Sequence, residues 1–245
     1  MKILNYLTSV LENLPSDWLY TTTHRLDIYN ERLAKKEFLE QFNELYNNKN
    51  SSKSTLKKLP TKSVGRLQTN EFSKITGKAL HVKEPFLAPL SKRKCVFYKI
   101  KIEQKKRSGK NSYWSTIVNE ERFQEFFLEQ NGEYVIVKLT QFPKNYKCHL
   151  VVDNKTKSGT FNDPTPEFKS LLKHYNINSE GFFGFNKQLR YSEGIIEIGE
   201  EITVAGIVKW KSLKEPIEGY SYSKIAQLES SDKQKLMITD LPHVN

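Results

Sequence analysis

The densest group of residues able to do chemistry is a cluster of cations in the first half of the chain. Between Lys78 and Lys110 lie eleven basic residues and two acidic ones. Ammonium and guanidinium groups at this density attract polyanions, whether nucleic acid, anionic lipid or an acidic protein face. We therefore predict an anionic-surface-binding site made of nine of these residues: Lys92, Arg93, Lys94, Lys99, Lys101, Lys105, Lys106, Arg107 and Lys110.

Aromatic residues are interleaved with these cations. Phe97 is predicted to share a strand face with Lys99 and Lys101, and Tyr113 and Trp114 follow the next turn. Rings beside cations on a small β-barrel are typical of single-stranded nucleic-acid binding. No motif of a nucleic-acid-binding family accompanies them. Nucleic acid therefore stays an alternative to a protein partner or an anionic membrane surface, for which the cations alone suffice.

Motifs for catalysis or cofactor binding are missing from the sequence. Ser108-Gly109-Lys110 lacks the earlier glycine that a phosphate-binding P-loop requires. Cys148 and His149 are adjacent, so in a strand they would point to opposite faces and could not act together. Two cysteines and five histidines form no zinc-binding spacing. We therefore predict a chain that is not an enzyme and needs no metal or cofactor.

The composition favours a folded, basic protein. The formal net charge is +11, and 12% of the residues are aromatic. Cys95 and Cys148 lie in apolar runs and are expected to be buried free thiols in a reducing compartment, although a disulfide between them stays open. No run of about 20 apolar residues could span a membrane. We expect a cytoplasmic protein that can associate peripherally with a membrane.

The first 63 residues are predicted to form a helical hairpin and a linker. Residues 1–47 carry apolar side chains at helical spacing on both sides of Pro15, which ends the first helix. Such a hairpin could pack on the following domain or on a second copy of the chain, giving a homo-oligomer. Residues 48–63 are rich in Ser, Lys and Asn and are interpreted as a basic linker.

Residues 64–245 are predicted to form a β-rich domain. Thr165 and Pro166 open one inserted helix, whose inward face includes Phe168 and Leu172. The predicted fold class is therefore α+β: an N-terminal helical hairpin, then a mainly antiparallel β-sandwich or partly open β-barrel. Strands are expected at residues 65–69, 73–82, 95–104, 113–119, 123–129, 134–140, 149–153, 188–198, 201–211, 223–229 and 235–239.

Several short motifs, in order, resemble the GIDE domain, also called the BAM (beside-a-membrane) domain. They run from about residue 75 to residue 211 and comprise ITGKA (75–79), LAPLS (87–91), CVFY (95–98), Trp114, the hairpin at 126–137 and LRYSEGIIEIGEEITVAGIV (189–208). The family includes mitochondrial membrane-anchored RING ubiquitin and SUMO ligases and many prokaryotic membrane-associated proteins. The resemblance implies a binding or regulatory module rather than a reaction.

The sequence departs from those ligases at the RING. A RING needs eight zinc-binding Cys and His residues, and no cysteine follows Cys148. Ligase chemistry is therefore not expected here. We predict a non-catalytic interaction module acting on a protein partner or beside an anionic membrane. The alternatives are a single-stranded nucleic-acid-binding β-barrel and an accessory subunit of a ubiquitin-ligase-like system without its own RING.

Overall fold

Strands dominate the part of the chain that the computed structural model describes, residues 52–181, 184–213 and 223–241. Two helices accompany them: α1 at residues 52–58 and α2 at Pro166–His174. Neither is long and apolar enough to cross a bilayer. The twelve described strands are β1 (Phe72–His81), β2 (Phe86–Leu87), β3 (Lys94–Ser108), β4 (Asn111–Phe123), β5 (Phe126–Gln130), β6 (Glu133–Val137), β7 (Tyr146–His149), β8 (Asn154–Ser158), β9 (Leu189–Glu197), β10 (Glu201–Ser212), β11 (Lys224–Glu229) and β12 (Leu236–Thr239).

Five strands close into a barrel in the order β1-β5-β6-β11-β10, with β10 pairing back to β1. β12 and β7 extend the sheet from β10. Alternate apolar residues of these strands fill the barrel, among them Ile75, Leu128 and Val204, each with no exposed surface. Gly77 permits the close approach of β1 and β5, because a Cβ there would lie 2.4 Å from the Glu129 carbonyl oxygen.

The second sheet is an open half-barrel. Its order is β2-β3-β9-β8, and β4 pairs with β3. Helix α2 covers one face and buries Phe168 and Leu172 against Tyr191 and other strand residues. The predicted start of this helix is confirmed, because the Thr165 side chain accepts a hydrogen bond from the Phe168 N–H and Pro166 lies in the first turn.

The predicted α+β fold class is wrong. The described chain is mostly β (53%), with a closed five-strand barrel and a half-barrel instead of a sandwich or a single partly open barrel. The helices that suggested α+β were placed at residues 1–47, which lie outside the described residues. Within the segment interpreted as a linker, residues 52–58 are helical, and Leu56 is buried against Ala205.

Candidate anionic-ligand surface

A two-stranded ribbon extends beyond the second sheet. β3 pairs with β9 only as far as Gln104, whereas its pairing with β4 continues to Ser108 and Asn111. The ribbon, defined as residues 105–114, turns through Gly109, whose φ of 57° lies in the left-handed region that favours glycine. Four of the nine predicted cations are on it, and all four are exposed: Lys105, Lys106, Arg107 and Lys110.

The strand register puts cations on both faces of the ribbon. Lys105 is opposite Trp114, and Lys106 is opposite Tyr113. Directly paired residues share a face and successive residues alternate. Lys105 and Arg107 therefore lie on the Trp114 face, while Lys106 lies on the Tyr113 face. Tyr113 is 51% exposed, and Trp114 is half-buried.

The Trp114 face continues across the half-barrel. Glu103 is paired with Arg190 of β9, and Arg190 is paired with Lys157 of β8. Lys155 lies two residues from Lys157 and is therefore on the same side of β8. Together these residues form the basic face, made of Lys105, Arg107, Lys155, Lys157 and Arg190 with Trp114. The sequence prediction missed its β8 and β9 members.

A groove of about 460 Å³ opens on the basic face, lined by Trp114, Lys157, Ser158, Gly159, Asn162, Gln188 and Arg190. The Arg190 guanidinium carbon lies 4.2 Å from the centroid of the Trp114 ring. The Arg190 Nε donates a hydrogen bond to the Glu103 carboxylate at 2.5 Å. Glu103 thus orients Arg190 over the ring. The lining offers positive charge, amide groups and an aromatic edge, which suit an anion that also has a flat apolar part.

Burial opposes ionisation of Glu103, but hydrogen bonds from Arg190 and Lys101 outweigh it and lower the pKa of this carboxyl. Glu103 is therefore ionised at neutral pH and offsets part of the charge of its two partners. Lys105 and Lys157 are exposed, and in the described part of the chain neither makes an ion pair. They keep the basic face positive.

The other predicted cations are held in ion pairs or lie near the far end of β3. Arg93 donates to Asp153 at 2.8 Å and to Glu197 at 2.9 Å, and Lys99 pairs with Glu121 at 2.8 Å. Lys101 pairs with Glu103 at 2.8 Å. Lys92 and Lys94 are exposed, but they lie near the first residue of β3, roughly 45 Å along the strand from Ser108. The nine predicted residues therefore fall into separate groups.

The prediction that Phe97 is an aromatic contact for a ligand, with Tyr113 and Trp114, is wrong for Phe97. Phe97 is fully buried, with its ring centroid 6.2 Å from that of Phe123 and 6.0 Å from that of Tyr146. From Phe97 to Lys101 the register with β9 is regular, so Phe97 shares a strand face with Lys99 and Lys101, but the barrel core covers the Phe97 end of that face. Phe97 contributes to the barrel core and cannot contact a ligand at the surface.

Neither cysteine is placed for nucleophilic chemistry. Cys95 and Cys148 are free thiols, and they pack against different apolar clusters. Burial, aided by the charge of Glu193, raises the pKa of Cys95 to about 12, and burial also raises the pKa of Cys148. Both thiols are therefore protonated at neutral pH. Among the described residues, no group of three or more His, Cys, Asp or Glu side chains could hold a metal ion.

Comparison with protein-family models, curated proteins and solved structures found no match to this chain.

Proposed function

We propose that the chain is a non-catalytic binding module, resembling a GIDE/BAM domain, that attaches to an anionic membrane surface through its ribbon and basic face. The observation that carries this proposal is the sorting of cations along β3. Lys99 and Lys101 of β3, and Arg93 just before it, are held by carboxylates, whereas the ribbon cations are exposed and make no ion pair within the described chain.

A lipid surface suits this arrangement better than a shaped protein site. The ribbon projects from the sheet and carries cations on both faces. A partner therefore need not present one rigid surface that is complementary to all of these cations. An anionic leaflet attracts such a segment by about 1 kcal/mol for each Lys or Arg near the surface. The attraction falls off within a Debye length and weakens with salt.

Flotation with phosphatidylcholine vesicles, with and without phosphatidylserine, tests the proposal. Four Lys or Arg to Gln changes at residues 105, 106, 107 and 110 should weaken binding to anionic vesicles by about a hundredfold or more. A matched control removes the same charge at four other exposed lysines: Lys78, Lys83, Lys92 and Lys94. Binding that falls equally in both variants would indicate a response to net charge alone and would contradict the proposal.

Single-stranded nucleic acid is a second candidate, favoured by the groove. Trp114 beside Lys157 and Arg190 combines a stacking ring with phosphate-binding cations. If a base stacks there, Trp114→Ala should weaken oligonucleotide binding by about 1–3 kcal/mol. The same change should alter vesicle flotation little, because charge attraction to lipid does not need the ring. Tight oligonucleotide binding without flotation would favour this second function.

A further inference from the structure

Two phenylalanine rings project from loops that border the groove. Phe161 is 96% exposed and Phe185 is 60% exposed. Phe161 lies between Gly159 and Asn162, which both line the groove, and Phe185 precedes another lining residue, Gln188, by three positions. A phenyl ring has no polar atom to satisfy in water, so exposing two of them together is unfavourable unless something covers them.

Hydrogen bonds hold the two loops together. Gly159 and Asn162 exchange backbone N–H···O bonds of 2.9 Å in each direction, which closes the turn that carries Phe161. The Gly181 N–H donates to the Phe185 carbonyl at 2.7 Å. The Asn186 amide donates to Asp163 at 2.5 Å and so connects one loop to the other. The segments that carry Phe161 and Phe185 are thus linked to each other.

Positive charge surrounds the rings. Residues 105–110, 155–163 and 185–190 contain eight basic residues and one acidic residue, Asp163, which accepts from Asn186. Two further carboxylates lie beside these segments, Glu103, which pairs with Arg190, and Glu180, whose backbone bridges to Asn186, so the basic residues still predominate. A partner that complements the groove and the loops that border it must therefore be anionic and also offer an apolar layer. The interface of an anionic bilayer provides both, with phosphate and carboxylate groups above acyl chains.

We infer that Phe161 and Phe185 insert into the acyl boundary of an anionic bilayer while the basic face contacts its headgroups. This inference rests on the proposed function, because it assumes that the chain binds vesicles. Base stacking explains the rings less well, since they lie on loop turns instead of the sheet face where Trp114 and the cations alternate.

Environment-sensitive fluorophores on the 245-residue chain test the inference. Phe161→Cys and Phe185→Cys are each labelled with a thiol-reactive NBD dye, and the wild-type chain measures background labelling. That background should be low, because Cys95 is buried with a pKa raised to about 12 and burial also raises the pKa of Cys148. NBD emission at both positions should shift to the blue and intensify with anionic vesicles, and brominated acyl chains should quench it.

Phe142→Cys is the matched control. Phe142 is 88% exposed, two residues before Lys144, which pairs with Glu121 opposite Lys99. Lys99 is four residues from Glu103, whose strand partner Arg190 lines the groove, so Lys99 lies roughly 13 Å along the strand from that lining residue. The label at residue 142 should stay in water. In a second measurement, Phe161→Ser and Phe185→Ser should each weaken vesicle partitioning about tenfold, whereas Phe142→Ser should not.

The outcomes separate the inference from the proposed function. Salt-sensitive vesicle binding with unshifted labels at 161 and 185 would overturn insertion and leave surface attachment standing. Absence of vesicle binding by the wild-type chain would overturn both. A blue shift of the label at residue 142 equal to that at residue 161 would also overturn the inference, because membrane contact would then not be confined to the loops beside the basic face.

Discussion

The two halves of β3 carry similar residues in different environments, one packed inside the fold and one exposed to solvent. From Lys94 to Ile102 the strand lies between β9 on one edge and β2 or β4 on the other, and its apolar residues enter both the barrel core and the α2 core. After Lys105, whose N–H donates to the Gln188 carbonyl at 2.9 Å, the strand has only β4 beside it within the described chain. Lys99 and Lys101 of the first half meet carboxylates, whereas the cations of the second half are exposed to solvent.

The difference shows that charge density in a sequence is not charge available for binding. A cation paired with a fixed carboxylate attracts an external anion less strongly. An exposed ion pair contributes only about 0–1 kcal/mol to stability. A cation without such a neighbour contributes little to stability, but it is free to bind. Substitutions in the first half should therefore change folding, and substitutions in the ribbon should change binding.

The largest expected contrast lies between two aromatic residues. Phe97→Ala should lower the free energy of unfolding by about 4 kcal/mol, because it leaves a cavity beside Phe123 and Tyr146 in the barrel core. Tyr113→Ala, on the ribbon, should change it by less than about 0.5 kcal/mol. Urea unfolding of both variants measures the contrast. Equal losses would remove the distinction between a packed and a projecting half of β3.

This contrast also shows how far sequence reasoning could go. Regular alternation located β1, β9 and β10, and the capping residues located α2, because those signals are local. The burial of Phe97 could not be predicted, because it depends on Tyr146 and other barrel residues that pack over this end of the β3 face from distant parts of the chain. The Lys155 and Lys157 alternation was a usable signal for β8. The position of β8 beside Arg190 could not be predicted, because it depends on long-range strand pairing.

The next largest effect is expected at Glu193, paired with Ile100 in the first half of β3. This fully buried carboxylate accepts bonds from the Tyr191 hydroxyl at 2.7 Å and from the backbone N–H groups of Leu90 and Ser91 at 3.0 and 3.2 Å. Glu193→Ala should cost about 3 kcal/mol of stability, because all three donors lose their acceptor.

Glu193→Gln is the control for that change. Its amide keeps one acceptor oxygen, so the loss in urea unfolding should be smaller than that of the alanine variant. Vesicle binding by either folded variant should stay close to wild type, since the ribbon is not touched. A strong loss of binding at unchanged stability would assign a role in binding to the first half of β3. It would contradict the distinction between a folding half and a binding half of the strand.

A pH-dependent effect of intermediate size is expected at Glu121, opposite Lys99. Burial opposes its ionisation, but hydrogen bonds from Lys144 and Lys99 prevail and lower the pKa to about 2. The folded state then binds fewer protons than the unfolded state, so the contribution to stability is present above pH 4.5 and is lost as pH falls toward 2. Glu121→Gln should cost about 2 kcal/mol at pH 7, after allowance for the partly exposed lysines.

Urea unfolding of this variant and of wild type at pH 7 and pH 3 gives the measurement. The difference between them should shrink at the lower pH, because unfolded wild type binds a proton at Glu121 at pH 3 that the folded state, with a pKa of about 2, does not bind, while the variant has no carboxyl there to titrate. A difference that does not change with pH would mean that packing around Tyr146, not charge, accounts for the cost.

The smallest stability effect, and the most direct comparison of the two halves, is the exchange of one lysine for alanine in each. Lys99→Ala leaves Glu121 with one fewer ion-pair partner and should cost about 1 kcal/mol. Lys106→Ala should cost less than about 0.5 kcal/mol, because Lys106 is exposed on the ribbon. Anionic-vesicle binding should respond in the opposite order, with Lys106→Ala weakening it more although both changes remove one positive charge. A larger binding loss for Lys99→Ala would mean that the paired half of β3 also reaches the anionic surface.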